Sequence, residues 1–362
     1  MLSQPRRKSR PWLMAFSVVM LFISCYTAFA PTRVEPESWH PPAAPKEEGV
    51  YARNDKLSKA QLLAQGKGTG PEAIALDGQG NIVTGYLDGR LVRISPDGSK
   101  VEELANTFGR PLGVAFDKKG VLYIADSRRG LLRLENGKLE VLSAEQGGVP
   151  FKFTDDLDVG EDGVVYFTDA SSKYTFEDHP LDILEHQPNG RLLAWHPDTK
   201  KTELLLGGLR FANGVAVAHD GQSVLVNETS DYRVTRVYIA GPKKGSHDVF
   251  AENLPGFPDN ITYSREKQRY WVALAAPRDS ALDMMGPMPF LRKAVGRLPA
   301  ALQPKAKRVA QVVALDLNGK VIQYLEDESG DSFSPLSSVR EGGGFLYLGS
   351  FERDAVGKIA AP

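Results

Sequence analysis

From Gly70 onward one pattern returns six times: an apolar strand, an Asp/Gly turn, an aromatic or β-branched strand, then a glycine and a third apolar strand. The clearest copies are PEAIALDGQGNIVTGYLDGRLVRI at 71–94 and PLGVAFDKKGVLYIADSRRGLLRL at 111–134. Further copies begin at Asp155, Asn213, Asp259 and Leu336. The third reaches its third strand only at Gly190–Trp195, and the fifth only at Gln311–Leu315. Fourth strands follow most units, as at Lys100–Leu104, Leu139–Leu142 and Thr202–Leu206. Units of roughly 40 residues with four short strands are the signature of a β-propeller. Six units predict an all-β, six-bladed β-propeller. Innermost strands such as Ala73–Leu76 and Val114–Phe116 are apolar on both faces, as strands sandwiched between blades must be. A β-sandwich is the alternative fold, but a sandwich need not repeat its motif six times. The sixth unit lacks a fourth strand before Pro362, and Ala60–Ala64 is the obvious donor. Closing a blade with both termini removes two sheet edges that would otherwise invite association.

Ahead of the propeller, taken as residues 56–362, the chain changes character. Arg6, Arg7, Lys8 and Arg10 precede an uncharged stretch from Pro11 to Ala30, about the length that spans a bilayer core. The basic flank predicts an N-in orientation. Residues 1–30 therefore read as a signal anchor, with Pro31 hindering cleavage after Ala28-Phe29-Ala30. A cleaved signal peptide and a lipoprotein signal at Cys25 are the alternatives. All three place the propeller on the non-cytoplasmic side of a membrane. Residues 31–55, rich in proline, read as a semi-extended spacer. Cys25 is the single cysteine, which excludes an intrachain disulfide and a thiolate metal site. A net charge of −1, with no stripe of Lys and Arg interleaved with aromatics, gives no reason to expect nucleic acid.

Four phrases put a carboxylate or carboxamide where a repeated strand begins: Gly70-Pro71-Glu72, Thr154-Asp155-Asp156, Phe211-Ala212-Asn213-Gly214 and Phe257-Pro258-Asp259-Asn260. Any one alone reads as a turn cap. Four at equivalent places in different blades would bring oxygen ligands to a common axis, which suits a hard cation such as Ca²⁺. Two insertions break the rhythm, Lys173–Asn189 in the third unit and Arg278–Arg308 in the fifth. The second carries Leu282, Met284, Met285, Phe290 and Leu302 among basic residues and prolines, predicting one or two short amphipathic helices. It is expected to serve as a lid or to touch the membrane. Asn227-Glu228-Thr229 is a glycosylation sequon.

The phrases Gly70–Glu72, Leu122–Asp126, Tyr166–Ser172, Phe211–Gly214 and Leu254–Ile261 resemble the strictosidine synthase-like branch of six-bladed propellers. That branch is related to gluconolactonase (senescence marker protein) and the paraoxonases. The resemblance covers roughly residues 30 to 360 and extends to its membrane-anchored type. It implies one Ca²⁺ in the central tunnel, held by Glu72, Asn213, Asp259 and Asn260, with Asp155 where relatives carry asparagine. Asp156 could take that place instead, since a one-residue slip swaps which side chain faces the axis. Ser337 aligns where the synthase relies on a glutamate, and a serine cannot shuttle its proton. Leu112 stands where paraoxonases use a histidine.

What the resemblance leaves is a calcium-dependent, gluconolactonase-like or arylesterase-like hydrolase of small lactones or aryl esters. Asp259 would be the base, helped from above the tunnel by His179 or His186. The alternative is a non-catalytic, calcium-stabilised propeller that binds a partner or small ligand. His40, His196, His219 and His247 read as linker or outer-turn residues. Ser171 and Ser172 lie outside any nucleophile elbow.

Overall fold

The six repeats form six four-stranded antiparallel sheets. The computed structural model describes residues 30–362 and, before them, residues 12, 14–18, 20, 26 and 29. Blade 1 starts with Ala75–Leu76, blade 2 with Pro111–Phe116, blade 3 with Thr154–Val159, blade 4 with Ala212–Val217, blade 5 with Gly256–Ser264 and blade 6 with Ser338–Gly342. Each inner strand runs from an upper to a lower face. There an aspartate folds the chain back in several blades: Asp77 Oδ1 accepts from the N–H groups of Gln79 and Asn81, and Asp117 and Asp316 repeat the device.

Facing blades pack apolar side to apolar side. Ala73, Val83 and Leu91 of blade 1 meet Val114, Ile124 and Leu132 of blade 2. Burying each such side chain contributes roughly 1.5–3 kcal/mol. The ring closes as the sequence predicts. Gln61–Leu63 pairs with the last strand, Val356–Ala360, in register Gln61↔Lys358 and Leu63↔Val356. Blade 6 is thus built from both ends of the propeller.

Both insertions lie on the upper face. In blade 3 a 3₁₀ turn, Phe176–Asp178, leads into α1 (His179–Glu185). In blade 5 the chain forms α2 (Ser280–Met285) and α3 (Pro289–Gly296). Asp279 caps α2 by accepting from the N–H groups of Ala281 and Leu282. Residues 31–48 contain no helix or strand, as their proline content implies, yet they do not stand off the propeller. The Glu37 N–H donates to Glu185 O and the Trp39 N–H to Gly286 O, while Val34 is buried. Arg292, also buried, donates to the carbonyls of Leu184, Glu37 and Gly286. The expected spacer is therefore a strap, because backbone donors and acceptors in the two insertions complete its hydrogen bonds.

The early described residues are helical and leave Trp12, Met14, Phe16 and Phe29 exposed. Among the described residues, no helix is long and apolar enough to cross a membrane. The basic cluster, Cys25 and much of the Pro11–Ala30 stretch lie outside those residues. The sequon is a correction: Asn227 is fully buried in blade 4, so the folded chain offers no acceptor there.

Candidate functional site at the hub

The site phrases coincide with breaks in strand register. Pairing between first and second strands slips between Thr154 and Leu157 in blade 3, between Ala212 and Val215 in blade 4, and between Pro258 and Ile261 in blade 5. Asp155, Asn213, Asp259 and Asn260 all lie inside these irregularities. Extra residues in a strand re-aim side chains, so each blade uses a local defect to present oxygen atoms toward the hub.

Neighbouring blades then fix the defective peptides. Thr168 Oγ1 of blade 3 donates to Asn213 O at 2.7 Å, and Asn227 Nδ2 of blade 4 donates to Asp259 O at 2.5 Å. Ser337 and Ser338 of blade 6 donate to Glu72 O. The inner strands approach so closely that a Cβ on Gly214 would lie 2.5 Å from Asn260 Cα. Outer support comes from acids ending the second strands. Asp126 accepts from the Arg110 N–H, Asp169 from the Phe153 N–H and Glu228 from the Arg210 N–H. These acids stand in phrases that the sequence makes conspicuous, but their role as loop staples is visible only in three dimensions.

Glu72, Asp155, Asn213, Asp259 and Asn260 are all buried. Burial pushes Glu72 up to about 7, opposed by Arg110. Burial, then the charges of Glu72 and Asp259, raises Asp155 well above the carboxylate range. Asp259 is raised likewise by burial, then by Glu72 and Asp156, while Asn213 lowers it. The three carboxylates thus share one low-dielectric field. Asp156 is anchored elsewhere, accepting from the Val215 N–H at 3.1 Å, and burial lifts it to about 7. Asp155 is therefore the residue of that pair whose oxygen lacks a partner. Arg110, which the sequence reading passed over, is a fully buried cation. It donates to Gly70 O at 2.8 Å and to Glu72 Oε2 at 3.4 Å.

Among the described residues' buried oxygens without a hydrogen-bond partner, four belong to this hub set: Asp155 Oδ2, Asn213 Oδ1, Asp259 Oδ1 and Asn260 Oδ1. Unpartnered buried acceptors are costly and call for a proton, water or cation. All four are carboxylate or carboxamide oxygens, the donor type Ca²⁺ takes. Among the described residues, however, no three His, Cys, Asp or Glu side chains group closely enough to hold an ion. The carboxylates alone do not suffice, and a cation would need the two carboxamides as well.

Above the hub, the blade 3 insertion forms the cover, a place the sequence left open to the blade 5 insertion. Phe176 packs edge-on to Phe153 and presents its ring face to the Arg110 guanidinium, whose central carbon lies 5.2 Å from the ring centroid. Half-buried His179 lies between Phe176 and Phe351, with Nδ1 2.8 Å from Phe176 O. A carbonyl only accepts, so Nδ1 carries the proton and Nε2 keeps its lone pair. Burial lowers the His179 pKa and keeps it neutral. His186 is not brought to the hub residues. It stacks on Trp39 at 4.1 Å and sits 3.1 Å from Asp231. Below the hub, a cavity of about 260 Å³ opens on the opposite face, lined by Asp156, Asp158, Asn260, Arg265 and Arg340. His219, read as an outer-turn residue, lines it too, because its turn joins the first two strands of blade 4.

A strictosidine synthase model matches residues 155–242, and a strictosidine synthase-like N-terminal model matches residues 49–94. Adipocyte plasma membrane-associated protein from Salmo salar is 37% identical over 352 residues, covering 90% of this chain and 84% of the relative. The chain belongs to the strictosidine synthase-like family. Arabidopsis thaliana strictosidine synthase-like 6 is 38% identical over 305 residues, covering 81% of this chain and 80% of that protein. Among solved structures, a gluconolactonase from Xanthomonas campestris superposes with a TM-score of 0.61 at 18% identity, covering 92% of this chain and 99% of its own. A calcium-binding regucalcin from Agrobacterium tumefaciens gives 0.55 at 13% identity, covering 82% and 92%. At such identities these two likenesses establish the propeller alone.

Proposed function

We propose that this family member is a membrane-anchored, calcium-dependent hydrolase of lactones or aryl esters, with its propeller on the non-cytoplasmic side. The observation that carries the reading is the set of four orphaned oxygens on Asp155, Asn213, Asp259 and Asn260. Support for the anchor comes from the uncharged Pro11–Ala30 stretch and from relatives named plasma membrane-associated. Support for the chemistry comes from neighbours named gluconolactonase and luciferin-regenerating enzyme.

Glu72, Asp155, Asn213, Asp259 and Asn260 would hold the ion. Bound there, Ca²⁺ would polarise a carbonyl oxygen and favour the charge developing on it. Asp259, as a carboxylate in the ion's shell, is the base that would take a proton from the attacking water. Neutral His179, with its Nε2 lone pair free by tautomer, is a second proton acceptor within the cover. Phe176 and Phe211, each edge-on to Phe153, exclude bulk water. Ser337, fully buried with Oγ donating to Glu72 O, holds a peptide and lacks the acidity for a synthase role.

The test uses the purified full chain stripped of divalent ions, assayed on phenyl acetate and on lactones with and without Ca²⁺. Calcium-restored turnover that Asp259→Ala abolishes is expected; unchanged turnover in Asp259→Ala sinks the reading. A second reading is a non-catalytic propeller in which calcium is structural. The cover above the hub favours it, since Phe176 and its neighbours leave the orphaned oxygens buried. It predicts a melting temperature that falls on chelation and no turnover under any condition.

A further inference from the structure

Each blade's strands alternate direction, so the loops joining second to third strands, and each blade to the next, all lie on the hub's upper face. Three exposed apolar side chains crowd the blade 5 insertion there: Met284 at 65%, Phe290 at 67% and Leu302 at 68% exposure. A fourth, Phe108, is 86% exposed in the loop between blades 1 and 2, across the ring from blade 5. Phe108 holds a left-handed backbone, φ 54°, which an L-aromatic residue rarely adopts. Among the described residues, the strand ends beside the lower-face turns expose Ile322 at 48% and Phe345 at 38%, and Lys358 lies over the Phe345 ring.

The upper face is also where the apolar N-terminal stretch arrives. Arg297, just past α3, donates to Ala30 O, so the end of that stretch is tied to the same insertion. Lys305 and Lys307, both exposed, follow Leu302. Apolar side chains flanked by lysines and attached to a lipid-length apolar segment are the composition of an interfacial contact. Two apolar points on opposite sides of the ring also fix an orientation, which one patch could not.

We propose that the upper face of the propeller lies on the bilayer that holds the chain's own N-terminal stretch. The hub then draws its substrate from lipid, and the substrates are long-chain, membrane-dissolved esters or lactones. The substrate half rests on the hydrolase reading; the docking half stands without it. The experiment places the full chain, with Cys25→Ser, in phosphatidylcholine vesicles containing brominated lipid. A fluorophore is attached at Phe108→Cys, Phe290→Cys or, on a lower-face turn, Lys244→Cys. Quenching at 108 and 290 is expected to exceed that at 244 by about threefold or more, since interfacial side chains enter the acyl boundary. Equal quenching at the three places overturns the docking. The triple variant Phe108→Ser, Phe290→Ser, Leu302→Ser is expected to slow hydrolysis of a long-chain ester in vesicles about fivefold, leaving aqueous phenyl acetate within about twofold. Equal loss on both overturns the substrate class. If the unaltered protein hydrolyses neither, the hydrolase reading falls with its substrate class, and the quenching result still decides the docking.

Discussion

The two faces of this propeller are built from the same repeat and differ in almost everything else. On the lower face, an aspartate and a glycine reverse the chain within a few residues, and the hub opens to water through a polar cavity. On the upper face, the same blades carry register slips, buried carboxylates, two insertions and a strap. The lower turns follow local rules, since Asp77 and Asp117 satisfy their own loops. The upper ends obey longer-range constraints, because Asp259 is held by Asn227 of another blade and Glu72 by Arg110. A repeat protein can thus keep one face generic while the other diversifies.

The sharpest break of this comparison is catalytic. Asp259→Asn on the upper side should lower kcat/KM for phenyl acetate by roughly 10²- to 10⁴-fold, while Arg265→Gln at the lower mouth leaves it unchanged. Comparable losses would make both mouths part of one site. Stability comes next. Arg110→Met removes the buried partner of Glu72 and should cost about 3–5 kcal/mol in urea unfolding. The lower-face Arg340→Met, which loses one hydrogen bond to Ile74 O, should cost about 0.5–1.5 kcal/mol. Asn227→Ala leaves the Asp259 carbonyl buried without its donor, an expected loss of roughly 1–3 kcal/mol.

The smallest effect is one of pH. Glu72 moves from 4.5 to about 7 on folding, so the folded chain binds more protons than the unfolded one across that window. Without metal, this group's contribution is full below 4.5 and is lost as pH rises through about 7. Calcium binding should release those protons. The Ca²⁺-induced rise in Tm is therefore expected to be larger at about pH 8 than at about pH 6. The reverse order would show that the carboxylates are not its ligands.

Sequence made the blades legible because strand, turn and strand recur with the same spacing, and even the Gln61–Leu63 donor could be named. It also picked out Glu72, Asp155, Asn213, Asp259 and Asn260, since each repeats a position. Arg110 escaped because a single arginine before Pro111 carries no periodic signal. The role of Asn227 stayed hidden because a sequon is a local pattern, whereas its side chain donates to Asp259 O across blades. The strap was hidden for a related reason: its composition marks an extended chain, and only the acceptors on α1 and α2 decide where that chain lies.

Pairing Gln61 with Lys358 joins the propeller's first strand to its last. During synthesis the early strand waits, unpaired, until the rest of the propeller has emerged. Closure is then a single long-range event, slow by the entropy it must overcome. Blade 6 is completed only by that event, so a change in either Gln61–Leu63 or Val356–Ala360 strikes the seam that closes the whole ring.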